Sequence, residues 1–252
     1  MSVTVPQTII IVPCYNEAAR LDQDAFVLAV QQRPWLHLLL VDDGSTDDTL
    51  RVLRGLHERM PDQINVLGLE HNSGKAEAVR QGMLSAYDRE IDVLGFLDAD
   101  LATPFIEVDH MVDVLEKQDL LMVMASRVAL HGRDVQRDLR RHYIGRVFAT
   151  IASVAVGLPV YDTQCGAKVF RRESVVRDLF SEPFHSRWAF DVEVLERLVR
   201  YDRRNGTSFA QHRIAEFPLS QWHDVQGSKV KASDGVKAVF EMLGVAVRLR
   251  RD

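Results

Sequence analysis

Four short runs of apolar residues organise the first half of the chain. Residues 8–12 (TIIIV) and 36–41 (LHLLLV) are nearly unbroken in hydrophobic character, the pattern of strands buried on both faces, and each runs into polar turn residues. After the second, Asp42-Asp43-Gly44-Ser45-Thr46-Asp47 predicts a loop, and Leu50, Leu53, Leu56 and Met60 then recur at helical spacing. A third strand is predicted over residues 64–69, followed by a helix carrying Ala76, Val79, Met83 and Ala86. A fourth, over residues 93–97, ends directly in Asp98-Ala99-Asp100, with Ile106, Met111, Val112 and Leu115 continuing as a helix.

Strands alternating with helices predict an α/β fold, a Rossmann-like, mostly parallel sheet flanked by helices. In such sheets ligands lie beyond the carboxyl ends of the strands. Asn16, Glu17, Asp42, Asp43, Asp98 and Asp100 all fall there. The second half is less regular. It offers a strand over residues 121–125, a basic stretch over 133–146, an apolar run over 147–160, a helix over 190–201 and a strand over 214–219. No repeat, low-complexity tract or linker interrupts it, so one domain is expected over residues 1–252.

Composition narrows the chemistry. The formal charge of −5 lacks the basic footprint that nucleic-acid binding needs, so an anionic ligand must meet local basic groups. The two cysteines, Cys14 and Cys165, show neither zinc-ligand nor disulfide-framework spacing and read as packing residues in a reducing compartment. The run over 147–160 is shorter than the roughly 20 residues of a membrane-spanning helix. A basic stretch joined to it, and Val236, Val239, Phe240, Leu243 and Val247 beside Lys237, Arg248, Arg250 and Arg251, suit a helix lying on anionic lipid; core-facing helices with solvated basic faces have the same composition.

Asp98 and Asp100 carry the sharpest chemistry. Two carboxylates at that spacing repel unless a proton or a hard divalent cation such as Mg2+ or Mn2+ neutralises them, and such a cation keeps sites open for substrate phosphates. Aspartates also start turns and cap helices. The neighbouring strand ends favour the metal: Asp42 and Asp43 suit base or ribose hydrogen bonds, and Pro13, Tyr15, Asn16 and Glu17 add a ring face and polar groups. Gly74 and Lys75 resemble the tail of a phosphate loop but fail the GxxxxGK[ST] pattern; Lys75 remains able to reach a phosphate. No GxGxxG follows the first strand and no GxSxG occurs, which disfavours dehydrogenases and hydrolases.

Taken in order, IVPCYNE (11–17), VDDGSTDDT (41–49), HNSGKAEAV (71–79) and DADLATP (98–104) resemble the GT-A family 2 glycosyltransferases. Ser126-Arg127, DTQCGAKVF (162–170), RWAFDVEVL (187–195) and WHDVQGSKV (222–230) are similar to dolichyl-phosphate β-glucosyltransferases and, less closely, to polyprenyl-phosphate mannose synthases. The resemblance implies inverting transfer of a hexose, glucose foremost, from a UDP- or GDP-sugar to a polyprenyl phosphate. It implies a nucleotide-sugar half near residues 1–125 and an acceptor half near 126–252. Pro13, Tyr15, Asn16, Glu17, Asp42, Asp43, Gly74, Lys75, Ala99 and Lys229 would hold the donor, and Asp98 and Asp100 the metal and diphosphate. Arg127, Arg141 and Gln164 would meet the acceptor phosphate, and Asp191 would face the reaction. Mannose synthases of this kind carry Gln where Ala102 stands, which points to glucose transfer and a different metal environment. The expected location is cytoplasmic, peripheral on the inner face of the plasma membrane.

Three other readings stay open: a soluble hydroxyl acceptor with Asp191 as base, a silent nucleotide-sugar binding protein, and a nucleotidyltransferase. Keeping Asp98, Asp100, Arg127 and Lys229 has no purpose in a silent protein, and the glycine-rich basic loop of a nucleotidyltransferase is missing.

Overall fold

A computed structural model describes residues 5–128, 130–136, 139–187 and 189–223, together with 244, 248 and 249. The expected α/β architecture is present. In chain order it runs β1 (Thr8–Cys14), α1 (Gln23–Gln31), β2 (Leu36–Asp42), α2 (Thr49–Arg59), β3 (Ile64–Gly68), α3 (Lys75–Tyr87), β4 (Val93–Phe96), α4 (Phe105–Lys117) and β5 (Met122–Ser126). There follow β6 (Asp134–Gln136), α5 (Leu139–Val156), β7 (Lys168–Arg171), α6 (Ser174–Ser181), α7 (Phe190–Asn205), α8 (Phe209–His212), β8 (Ile214–Pro218) and β9 (Gln221–His223).

The main sheet has the order β3-β2-β1-β4-β7-β5-β8, and β6 pairs with β9 in a second, two-stranded ribbon. All pairings in the main sheet are parallel except those of β7, which runs antiparallel to both β4 and β5. The unbroken apolar runs of β1 and β2 follow from burial on both faces. Ile9, Ile11, Leu39 and Val41 join the core beneath α3, α6 and α7, whereas Ile10, Val12, Leu38 and Leu40 join the core beneath α1, α2 and α4.

Two features of this topology position the site. Registers pair Cys14 with Asp42 and Asp42 with Gly68, so the carboxyl ends of β1, β2 and β3 finish level. The chain also winds outward from β1 to β3 and then returns to place β4 on the other side of β1, which opens a crevice between the β1 and β4 loops.

The apolar run over residues 147–160 forms the later part of α5 and the turn after it. Ala149, Ala152, Val156, Leu158 and Val160 are buried, while Val147 and Val154 are 62% and 78% exposed. Gly157, at φ 76°, ends the helix in the left-handed conformation. Among the described residues no helix is long and apolar enough to cross a membrane.

Candidate active site

On the β1–β3 side, several expected donor ligands are tied into the loops themselves. Asn16, at φ 50°, donates its backbone N–H to Ser45 Oγ at 3.0 Å and accepts from the Thr46 N–H at 2.9 Å. The Glu17 N–H donates to Thr49 Oγ1 at 2.7 Å, and its buried carboxylate pairs with Arg20. Asp43 is the anchor of the loop before α3: it accepts from the N–H groups of Ser73 and Gly74 at 2.8 Å each and from Asn72 Nδ2 at 3.1 Å. Burial raises its pKa above the usual carboxylate value in spite of those bonds. Asp42 differs. Its Oδ2 accepts from the Ser45 N–H at 3.3 Å, while its buried Oδ1 has no hydrogen-bond partner among the described residues. Pro13 and Tyr15 are half-buried beside them.

Across the crevice, Asp98 and Asp100 leave the end of β4. Asp100 Oδ1 accepts the Ala102 N–H at 3.1 Å, and Leu101 between them takes φ 52°. Burial, and next the charge of Asp98, raise the Asp100 carboxyl above its ordinary pKa. Lys75, the first residue of α3 after Gly74 at φ 94°, ion-pairs with Asp98 and lies 5.9 Å from the Phe190 ring centroid. Burial lowers the Lys75 ammonium, but the charges of Asp98, Asp191 and Asp100 outweigh it and leave its pKa raised. Gly166 closes on the same carboxylate: a Cβ there would stand 2.0 Å from Asp98 Oδ2.

The second half supplies buried cations held by carboxylates. Arg127, at the end of β5, donates through Nε and Nη2 to Asp162 at 2.7 Å each and packs 5.5 Å from the Trp222 ring centroid. The Arg127 pKa is raised, the Asp162 charge overcoming the effect of burial. Asp162 is itself fixed, since Glu216 accepts the backbone N–H groups of Tyr161 and Asp162 at 2.7 Å. Asp191, opening α7, meets Lys168 Nζ at 2.5 Å, and that ammonium also donates to the carbonyls of Thr163 and Cys165 at 3.0 and 2.8 Å. Gln164 sits on this turn with its buried Nε2 lacking a partner among the described residues.

Lys75, Asp98, Asp100, Arg127 and Asp191 thus converge, each of the others lying within electrostatic range of Lys75 or Asp98. Arg141 falls on α5 with its side chain undescribed, and Lys229 lies outside the described residues. The same holds for Val236, Lys237, Val239, Phe240, Leu243, Val247, Arg250 and Arg251. Arg248 is not on a solvated basic face: it binds Glu196 of α7 at 2.7 and 2.8 Å. Sequence reasoning did not single out Lys168, Asp162 or Gly166. The available signal was a lysine at the head of an apolar strand, a residue type seldom fully buried unless paired. Both cysteines are free and buried, and burial pushes the Cys165 thiol up to about 11, as suits a packing residue.

The fold is that of the GT-A glycosyltransferases. The fold superposes on glucosyl-3-phosphoglycerate synthase from Mycobacterium tuberculosis, crystallised with Mn2+, UDP-glucose and phosphoglyceric acid, with a TM-score of 0.67 over 97% of this chain and 79% of that one, at 17% identity. Residues 9–178 match glycosyl transferase family 2, and the chain belongs to that family. It is 31% identical to the dolichyl-phosphate beta-glucosyltransferase of Dictyostelium discoideum, covering 96% of this chain and 73% of the relative. The Saccharomyces cerevisiae enzyme of the same name is 29% identical, over 93% and 72%. The chain is therefore a glycosyltransferase.

Proposed function

We propose that the enzyme transfers glucose from UDP-glucose to a polyprenyl phosphate with inversion at the anomeric carbon. The carrying observation is the Asp98–Asp100 pair at the crevice between β1 and β4, compensated by Lys75, in a chain about 30% identical to dolichyl-phosphate beta-glucosyltransferases over most of its length. Residues up to about 125 form the donor half and those from about 126 the acceptor half.

The residues fit a divalent cation. Both donors are hard carboxylate oxygens, Asp100 resists carrying its charge unaided, and Asp98 already holds an ammonium. Among the described residues there is no group of three or more metal-ligating side chains, so phosphates and water would complete the shell. When bound, Mg2+ or Mn2+ neutralises charge on the departing diphosphate. Asp42 Oδ1 and the Tyr15 ring face receive the nucleoside, and Lys75 reaches the diphosphate. On the other side, Arg127 Nη1, which Asp162 does not engage, and the Gln164 amide hold the acceptor phosphate, with Arg141 given the same task, and Lys229 the donor, by the family resemblance. A phosphate oxygen attacks the anomeric carbon as the bond to the diphosphate breaks and the nucleoside diphosphate leaves with the electron pair. Because the nucleophile is already ionised, Asp191 has no proton to remove; it orients instead. Peripheral membrane contact is supported by Val147 and Val154, seven residues apart and both exposed on α5, and a cytoplasmic face by the free thiols.

The test is a panel of radiolabelled UDP- and GDP-sugars with a short polyprenyl phosphate in detergent, with and without EDTA. Label from UDP-glucose is expected in the lipid phase and is lost with EDTA. Nucleotide release with soluble acceptors and no lipid product would instead make Asp191 a base for a hydroxyl acceptor.

A further inference from the structure

Lys75 holds the position that a cation at Asp98 must take. Its ammonium pairs with Asp98 from the first turn of α3, and the side chains remain 39% and 38% exposed, so exchange with solvent ions needs no opening of the core. Asp98 has little freedom to turn away, because the Gly166 backbone lies against its carboxylate. Two positive groups cannot share that carboxylate without repulsion. Lysine's charge is compact and rides on a flexible four-carbon stem, so it can move, provided other anions receive it. Asp100 and Asp191 already draw on it, and a nucleotide diphosphate would add the anions that a divalent ion displaces it toward.

Resting on the nucleotide-sugar reading, we infer that Lys75 is a placeholder for the divalent cation: it occupies Asp98 in the free enzyme and gives the site up when a nucleotide diphosphate arrives to take its ammonium. Metal alone must break the Lys75–Asp98 pair without replacing it. Metal arriving with a diphosphate does not. The two ligands are therefore cooperative, and linkage requires the metal to tighten nucleotide binding by the same factor by which nucleotide tightens metal binding.

The test is Mn2+ uptake by the full chain, read from the electron paramagnetic resonance of free Mn2+ with and without UDP, against a protein-free titration of the same UDP that accounts for the Mn2+ the nucleotide itself binds. Wild type is compared with Lys75→Met, with Lys75→Arg to retain the charge and Asp98→Asn to mark the site. Wild type should bind Mn2+ more than about tenfold more tightly with UDP than without, because the diphosphate both ligates the ion and receives the Lys75 ammonium. Without UDP, Lys75→Met should bind Mn2+ about tenfold more tightly than wild type, and its gain on adding UDP should be smaller than that of wild type by about the same factor, leaving only what direct ligation by the diphosphate supplies. Lys75→Arg should follow wild type, and Asp98→Asn should abolish the gain of Lys75→Met. Equal Mn2+ affinity of free wild type and free Lys75→Met, or a gain that survives Asp98→Asn, overturns the placeholder while leaving the donor reading intact. Failure of wild type to take up Mn2+ even with UDP removes the donor reading itself. Circular dichroism checks folding, and Lys75→Gln replaces the Met variant if that fails to fold.

Discussion

Lys168 Nζ and Asp191 Oδ1 meet at 2.5 Å, with side chains only 0% and 6% exposed. The pair joins β7 to the start of α7, and the same ammonium holds the carbonyls of the turn that carries Gln164. Removing the cation leaves a buried carboxylate and two carbonyls without their donor. Lys168→Met is therefore expected to destabilise the protein by about 3–5 kcal/mol in urea unfolding, and Lys168→Met with Asp191→Asn should recover part of that loss. A Lys168→Met variant within about 1 kcal/mol of wild type would contradict the burial and pairing seen here.

Gly166 is held to glycine by Asp98, since a Cβ at 2.0 Å from Oδ2 has no room. Gly166→Ala should push the Asp98 carboxylate aside while leaving the sheet intact. Turnover is expected to fall about a hundredfold, the usual consequence of a displacement near 1 Å at a reacting centre. Steady-state kinetics alongside a thermal melt separates this from simple unfolding.

The strands and their acidic ends were legible because a strand buried on both faces is nearly continuous in apolar residues, and β1, β2 and β4 are, with Thr8, His37 and Asp42 the polar exceptions. What each carboxylate does was not. Asp42 and Asp43 are adjacent in sequence, yet Asp43 is consumed by Asn72, Ser73 and Gly74 while Asp42 keeps an oxygen without a partner, a distinction created by a loop some 30 residues away. Helix α1 escaped notice because Leu28, apolar yet 52% exposed, fills the gap between the buried Phe26, Val27, Ala29 and Val30, so residues 26–30 read as one unbroken apolar run without a helical period. Strand β7 was hidden for another reason. Its four residues pair antiparallel between β4 and β5, about 75 and 45 positions earlier in the chain, and nothing local announces partners so distant.

Arg127 and Asp162 give a prediction in which stability and substrate binding separate. Their side chains are 16% and 7% exposed, and Asp162 fixes the guanidinium by two parallel bonds. Asp162→Asn keeps the shape but removes the charge and one acceptor, and should cost about 3 kcal/mol. Arg127→Lys cannot form the paired contact and also loses Nη1. It is expected to raise the KM for polyprenyl phosphate about tenfold or more, with a much smaller change for UDP-glucose. Equal changes in both KM values would place Arg127 outside the acceptor site.

Glu193 should make stability depend on acidity in a predictable direction. Burial alone would raise its carboxyl, but the His185 side chain, the Arg197 charge and the N–H groups of His185 and Ser186 together hold it below the ordinary glutamate value. Arg197 Nη2 lies 2.9 Å and Arg248 Nη2 3.9 Å from its oxygens. A carboxyl whose folded pKa is depressed binds fewer protons folded than unfolded. Its contribution is therefore complete above the unfolded value near 4.3 and disappears as pH falls through the lower folded value. Glu193→Gln is expected to be about 2 kcal/mol less stable than wild type at pH 7, and the gap should narrow steadily below about pH 4. Urea unfolding of both proteins at a series of pH values tests this. A gap that stays constant on acidification would mean that the neutral carboxyl is held as well as the ion, and that shape rather than charge fixes the turn carrying His185 and Ser186 to α7.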